Sequence, residues 1–318
     1  VKIGLINNPL SRANRARGLA HIAAVAAAAG AEQAVASGPE GISRALTRFA
    51  EEGVELLVIN GGDGTVQEVL TTLWRDRPFP APPLLAVLHG GRTNVIAIDC
   101  GVSGRPERAF RRLLDADAAG TVEQYIAERR MLRVEGALDG GVQYGMLFAA
   151  AAAVSVVDYS RARIDRLGMP AWASDLLLLF GIAARQIHRP AQRYAFGGYE
   201  VSGCVDGADL PFGRISLVLA STLDKMLLGT RPYWNAASGP VRLTLMAHPP
   251  RGMVRRLPRL LYGPPMRDLP ADRFFSRGVH EAELQFEGRF ILDGEFFTAR
   301  PDRAIRLTAA ETARFVAL

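Results

Sequence analysis

Lysine is almost missing from this chain of 318 residues. Lys2 and Lys225 are the two that occur, so nearly all of its 38 cationic side chains are arginine. Two lysines leave little room for one that clamps phosphates, and no Gly-x-x-x-x-Gly-Lys-Ser/Thr loop occurs. Arginine favours bidentate phosphate contacts, although coding bias alone also produces a chain heavy in Ala and Arg. Cysteine is scarce too. Cys100 and Cys204 lie far apart, which excludes a disulfide framework and points to a reducing compartment. Long apolar runs are absent: 145–157 and 176–184 fall short of the roughly 20 residues a membrane span needs. The strand-like opening VKIGLIN is read as the lack of a signal peptide, so a cytoplasmic location is expected. No internal repeat is visible.

Hydrophobic residues make up 49% of the chain, enough for sizeable cores, and the length suggests two domains. The most pointed feature is Gly61-Gly62-Asp63-Gly64-Thr65. It follows an apolar run, residues 55–60 (ELLVIN), of the kind expected for a central parallel strand. It precedes Val66, Val69, Leu70, Leu73 and Trp74, which share one helical face. Strand, glycine loop and helix N-terminus in that order form an anion site. Glycine lets the backbone approach a phosphate, and the free N–H groups and helix dipole favour negative charge. Asp63 departs from a plain phosphate cradle, because a carboxylate beside phosphates repels them unless it holds Mg²⁺ or a proton. The bland alternative is a tight turn with an exposed Asp.

Strand and helix alternate through residues 1–125. A strand at 3–7 leads to Asn8-Pro9 and an Ala-rich helix from about Asn14 to Ala29. Ser37-Gly38-Pro39 opens a second helix, with Ile42, Ala45, Leu46 and Phe49 inward. A strand at 84–88 leads into His89-Gly90-Gly91-Arg92-Thr93-Asn94, and a last helix begins at Pro106. This order predicts a parallel, Rossmann-like sheet covered by helices, with ligand sites at the strand C-termini. From 126 to 300 short strands and turn signals (Asp139-Gly140-Gly141, Asp206-Gly207, Glu287-Gly288) predict a β-rich sandwich, interrupted by a helical insert at about 157–188. Residues 301–318 are read as a C-terminal segment that packs back on the first domain. Residues 248–271, rich in Pro and Arg with apolar residues interleaved, read either as a solvated loop or as a basic rim for an anionic lipid surface.

The glycine loop with Val66-Gln67-Glu68-Val69, together with Asn8-Pro9 and Ser11 upstream and Ile291-Leu292-Asp293-Gly294-Glu295 downstream, resembles the diacylglycerol kinase catalytic-domain family. That family includes bacterial lipid kinases, sphingosine kinases and ceramide kinases. The order of the pieces matches over essentially the whole chain. GGDGT alone is shared with NAD kinases and, loosely, with phosphofructokinases. The late Asp-Gly-Glu and the 91–97 segment favour the lipid-kinase branch.

The resemblance implies an α/β nucleotide domain followed by a β-sandwich, ATP and Mg²⁺ as cofactors, and transfer to a lipid hydroxyl at a membrane surface. It implies contacts to ATP from Asn8, Pro9 and Ser37, with Thr65, Gln67 and Asn94 as weaker candidates. Gly61, Gly62, Asp63 and Gly64 would hold phosphates, helped by Arg92. Asp63 is expected to reach Mg²⁺ directly or through water. Asp293 and Glu295, two apart, are expected to share one face of a strand. Glu295 would be the general base and Asp293 its orienting partner or a metal contact; an exposed turn is the alternative. Glu68 is read as a first-turn helix residue or a functional one, and His280 as structural.

The sequence departs from the family at three places. Gly-Thr-x-Asn becomes Gly91-Arg92-Thr93-Asn94, replacing a small hydroxyl with a bulky cation. The Asp-Asp-Gly linked in bacterial members to a structural Mg²⁺ aligns with Ala237-Ser238-Gly239. The Gly- and Asn-containing stretch after the first hairpin is the alanine run 148–154. Three function classes follow: a lipid kinase, a kinase of a soluble substrate such as a nucleotide, and a non-catalytic nucleotide-binding regulator. A nucleic-acid partner is not expected. A peripheral contact at the inner membrane face is.

Overall fold

The computed structural model describes residues 1–138, 141–159, 198–226, 229–234, 239–249, 253–262 and 269–318. The first half runs β1 (Ile3–Asn7), α1 (Arg12–Arg17), α2 (Ala20–Ala28), β2 (Glu32–Val35), α3 (Gly38–Glu51), β3 (Leu56–Gly61), α4 (Asp63–Thr71), β4 (Leu84–His89), α5 (Val95–Cys100) and α6 (Pro106–Ala118). The strands lie in the order β2-β1-β3-β4, all parallel. Every residue of β1 and β3 is buried, because helices cover both faces of the sheet. Alternation along β3 divides the two cores. Leu57 and Ile59 pack with α3, α4 and α5, whereas Leu56 and Val58 pack with α2 and α6.

Two expectations for this half need correction. The single helix expected over 14–29 is two, α1 and α2. Gly18, at φ +74°, donates its N–H to the Asn14 carbonyl and ends the first. The face Val66, Val69, Leu70 and Leu73 is buried as its spacing predicts. The α-helix, however, stops at Thr71 and continues through 72–76 as a wider turn, halted at Arg77 with φ +51°.

The second half is antiparallel. One sheet places Ala208–Asp209, Ser202–Val205, Glu281–Gln285, Ile305–Thr308, Leu132–Glu135 and Gln143–Gly145 side by side. The other places Phe274–Val279, Val241–Ala247, Arg214–Ser221, Leu147–Ala151, Gly288–Leu292 and Glu295–Ala299, with Tyr199–Glu200 beside Arg214–Ser221. Their inner faces share one core, in which Val134, Leu284 and Leu307 meet Phe148, Leu243 and Phe290. The expected sandwich is what forms.

The boundary read at 125/126 falls one strand early. Ile126–Arg130 belongs to the first sheet, antiparallel to Thr312–Val316, which itself lies parallel to β4. The final strand therefore lies inside the first sheet, between β4 and the edge strand Ile126–Arg130. Among the described residues, no helix is long and apolar enough to cross a membrane. The Asp139-Gly140 turn, residues 160–188 of the helical insert expected at about 157–188, Ala237-Ser238, and residues 250–252 and 263–268 of the Pro- and Arg-rich stretch lie outside the described residues.

Candidate active site at the carboxyl edge of the parallel sheet

The loops that follow β1, β2, β3 and β4 gather at one edge of the sheet. Between β3 and α4 the connection is one residue, Gly62, so Asp63, Gly64 and Thr65 are the first three residues of the helix. The first bond back into this turn is Val66 N–H to the Gly62 carbonyl. The N–H groups of the first turn therefore precede the intrahelical ladder, which is the anion-binding arrangement the spacing predicts.

The glycines are required by close approach. A Cβ on Gly62 would stand 3.2 Å from Gly91 Cα, and a Cβ on Gly91 would overlap Gly62 Cα. A Cβ on Gly90 would stand 2.7 Å from Gly61 N and 2.9 Å from Asn60 Oδ1. The loops after β3 and β4 thus lie backbone on backbone. Asn94 closes the second loop in a left-handed conformation, φ +51°. Its Oδ1 accepts the Gly91 N–H at 2.7 Å, and its Nδ2 donates to the Gly91 carbonyl at 3.3 Å. Arg92 is half-buried in that loop.

Asp63 faces the second loop. Its Oδ2 accepts the Thr93 hydroxyl at 2.8 Å and its Oδ1 the Ile96 N–H at 3.0 Å, so it caps the start of α5. Burial raises its pKa, and these hydrogen bonds oppose the rise. On the other side, Asn8 Nδ2 donates to Thr65 Oγ1 at 2.7 Å, and Asn8 Oδ1 accepts the Leu10 N–H at 2.9 Å. The first loop is thereby tied to α4. Pro9 and Ser37 are half-buried at the same edge, Ser37 immediately before α3. Gln67 is not on the loop side. It is buried and donates to Thr71 Oγ1 at 2.9 Å and Gln143 Oε1 at 3.1 Å, holding α4 to the sandwich.

The sandwich delivers its carboxylates by a turn, not along a strand face as expected. Strands Gly288–Leu292 and Glu295–Ala299 pair Leu292 with Glu295, leaving Asp293 (φ +48°) and Gly294 (φ +89°) as a two-residue hairpin turn. The two carboxylates consequently diverge. Asp293 points inward, 3% exposed, and accepts the Met146 N–H at 2.8 Å and the Leu147 N–H at 2.9 Å. Burial raises its pKa well above the ordinary range, with the Asp63 charge adding to the rise. With both oxygens on backbone N–H groups, Asp293 anchors the turn to the strand that begins at Leu147.

Glu295 points outward, onto the glycine loop. A Cβ on Gly64 would stand 2.8 Å from Glu295 Cδ and nearer still to its Oε1. Glu68 lies in the second turn of α4, not the first, so a dipole role does not describe it. It is half-buried, and burial, with the Glu295 charge second, raises its pKa to about 7.

Sequence reasoning missed the asparagines beneath the loops. Asn60 Nδ2 donates to Asn7 Oδ1 at 2.8 Å, and Asn14 Nδ2 donates to the carbonyls of Asn8 at 2.8 Å and Asn60 at 3.0 Å. The signal was available: Ile6-Asn7 and Ile59-Asn60 are the same dipeptide in register on neighbouring strands. Thr93 was missed as well. His280 is exposed, and its N–H donates to Asp206 Oδ1 at 2.8 Å, a structural place.

A glycine loop at the carboxyl edge of a parallel sheet faces a carboxylate from the following sandwich. Residues 2–121 match the family model described as the diacylglycerol kinase catalytic domain, which bears out the resemblance carried by the loops. This match supports a kinase, and with it use of ATP. Among solved structures, the chain is similar to a diacylglycerol kinase from Bacillus anthracis, at 15% identity and a TM-score of 0.60 over 99% of this chain and 96% of that one. It is also similar to yeast NADH kinase complexed with NADH, at 9% identity and a TM-score of 0.52 over 100% of this chain and 84% of that one. These likenesses show the fold. No curated protein matches the chain.

Proposed function

We propose that the chain is an ATP-dependent lipid kinase that transfers the γ-phosphoryl group to a lipid hydroxyl of the diacylglycerol or sphingoid type. The observation that carries this reading is Glu295 lying against Gly64: a carboxylate from one half set over the anion loop of the other. Phosphoryl transfer needs charge neutralisation, in-line positioning and an acceptor for the hydroxyl proton. First-turn N–H groups of α4 bind the phosphates, Asn8, Pro9, Ser37 and Asn94 border the nucleotide, and Arg92 adds positive charge. Glu295 takes the proton.

Mg²⁺ would offset the phosphate charge. Asp63 alone is no cage for it, since both of its oxygens already accept hydrogen bonds and, among the described residues, no group of three His, Cys, Asp or Glu could hold a metal. The donor set fits an ion that arrives on the triphosphate and keeps most of its water, with Asp63 as an outer contact.

The family model's description supports the lipid acceptor. So does the helix Met253–Tyr262, with Arg259 exposed, Tyr262 59% exposed and Leu260 buried against Trp234 and Phe274. A basic helix with an exposed aromatic suits an anionic surface. The test is transfer from radiolabelled ATP to diacylglycerol, sphingoid and soluble acceptors in parallel. Label in a lipid that disappears with Glu295→Gln supports the reading. Label only in a soluble acceptor replaces it with the soluble-substrate kinase, and tight ATP binding with no transfer replaces it with the regulator. Liposome co-sedimentation of a variant neutralised at Arg256 and Arg259 checks the surface. Unchanged binding to anionic vesicles removes that contact.

A further inference from the structure

Near the end of α5, Asp99 joins the two halves of the molecule. Its side chain is 1% exposed. Its Oδ2 accepts the Arg129 Nε–H at 2.9 Å, from the first-sheet strand Ile126–Arg130. Its Oδ1 accepts the Lys225 N–H at 2.9 Å, from the sandwich. Asp224 reaches back to Arg129 Nη2 at 3.4 Å, and Arg242 donates to both Asp224 and the Leu223 carbonyl. Each oxygen of Asp99 therefore serves a different half. Breaking such a contact leaves a buried charge without its partners, so the tie holds.

The two sides of this contact lead to the two parts of the candidate site. In the first half, Asp99 lies one helical turn from Ile96, whose N–H is held by Asp63 of the glycine loop. In the sandwich, residues 221–225 are fastened to the Met146 carbonyl, which accepts Ser221 Oγ at 2.8 Å and the Thr222 N–H at 3.1 Å. The Met146 N–H goes in turn to Asp293, in the hairpin turn that precedes Glu295. Glu295 rests on Gly64, the residue after Asp63. The contacts close a ring: glycine loop, α5, residues 221–225, Met146, hairpin turn and glycine loop again.

The covalent links alone do not fix the halves. The chain crosses between them at Met131 and at 309–311, and the Met131 N–H bonds the Glu311 carbonyl, so these crossings lie side by side. Adjacent links of this kind act as a hinge. Gln143 and Tyr144 grip α4, but contacts along one helix leave rotation about that helix open. The tie at Asp99 is on a second helix and closes that freedom. We propose that Asp99 is a positioning residue: it locks the sandwich at the angle that sets Glu295 over Gly64. The inference rests on the kinase reading above and adds to it the residue that holds the geometry. A displacement of about 1 Å is enough to cost about a hundredfold in rate, so a loosened angle shows in turnover and not in nucleotide binding.

Two measurements on the full chain test this. Spin labels attached at Arg108→Cys on α6 and Glu287→Cys in the sandwich, both exposed positions, report the separation of the halves in a chain that also carries Cys204→Ser. With Asp99 present the distance distribution should be single and narrow, and Asp99→Ala should broaden it. An unchanged distribution overturns the tie whatever the enzyme does. In the transfer assay, Asp99→Ala should lower kcat about tenfold or more with KM for ATP little changed, since Asp63 still caps α5. Full activity, or a loss carried by KM, overturns the positioning role. If Asp99→Ala does not fold, Asp224→Asn decides by the same two readings, because its half-exposed carboxylate is the outer link of the tie. Its effects should be smaller and in the same direction, and no change in either reading overturns the proposal. A broadened distribution beside an assay silent for every acceptor keeps the tie and sinks the kinase reading, so the two failures are told apart.

Discussion

Gly91 and Gly64 show how much a single missing methyl group decides here. A Cβ on Gly91 meets the Gly62 backbone, which has nowhere to go. Gly91→Ala should therefore cost about 1–3 kcal/mol, by overpacking alone, and denaturant melts would show it. At Gly64 the obstacle is the far end of a flexible side chain, Glu295. Gly64→Ala should fold normally and lose transfer activity, because the added methyl group pushes the carboxylate off the loop. A melting temperature that falls as far as that of Gly91→Ala would show that Gly64 serves the fold instead. The glycines were legible as a close-approach loop. Their partners were not, since Gly91 and Glu295 lie 29 and 231 residues beyond Gly62 and Gly64. Asp206-Gly207 and Asp293-Gly294 make the same point. Both are two-residue hairpin turns with positive φ. Asp206 stays near the surface, its pKa lowered overall by the backbone N–H groups of Glu281 and His280 and by Arg277 against a desolvation cost that is the largest single contribution. Asp293 is buried and raised. The dipeptide announces a turn, and only the far side of the fold decides what its carboxylate meets.

At the scale of elements, α4 is the part that both halves grip. Glu295 touches its first turn, Gln143 bonds Gln67 in the middle, and Tyr144 bonds Thr71 at the end. Thr71 Oγ1 accepts the buried Tyr144 N–H at 2.9 Å and donates to the Tyr144 carbonyl at 3.2 Å. Thr71→Val keeps the shape and leaves that N–H without its partner, so it should destabilise by about 1–3 kcal/mol. If α4 is the shared beam, the variant should also weaken ATP binding, although Thr71 lies two helical turns from the loop. Unchanged affinity would mean that the loop is held by the asparagines and glycines alone. The apolar face of α4 was plain from spacing. Its polar edge was not, because Gln67 and Thr71 look like solvent-facing residues until the strand Gln143–Gly145 covers them. The break between α1 and α2 escaped for the opposite reason: the alanine run reads as helix throughout, and one glycine at positive φ outweighs it.

For the molecule as a whole, the site carboxyls set a pH dependence opposite in sign to that of the surface ones. Asp206 and Glu281 have lowered pKa values and contribute stability that is lost as pH falls. Asp63, Glu68 and Asp293 are raised, so each binds its proton more tightly in the folded chain than in the unfolded one. Their contribution is fully present below the unfolded pKa and is lost as pH rises through the folded one. For Glu68 the window runs from the ordinary value of 4.5 to about 7. Glu68→Gln removes this one titration and leaves the others in place. Below pH 4.5 the wild-type and variant chains should differ by a constant amount. Between there and pH 7 the variant should gain steadily on the wild type, and above that window the gap should again be flat. Urea melts of both chains at intervals of half a pH unit, without nucleotide, would read the slope directly. A gap that does not change with pH would mean that Glu68 ionises alike in the folded and unfolded chain. A site that stabilises the fold less as its carboxyls ionise has charge to spare for a partner, and Mg²⁺ with a triphosphate is a partner that would offset it. ATP with Mg²⁺ should accordingly stabilise the chain more at pH 8 than at pH 5, and a larger thermal shift at the lower pH would refute that link.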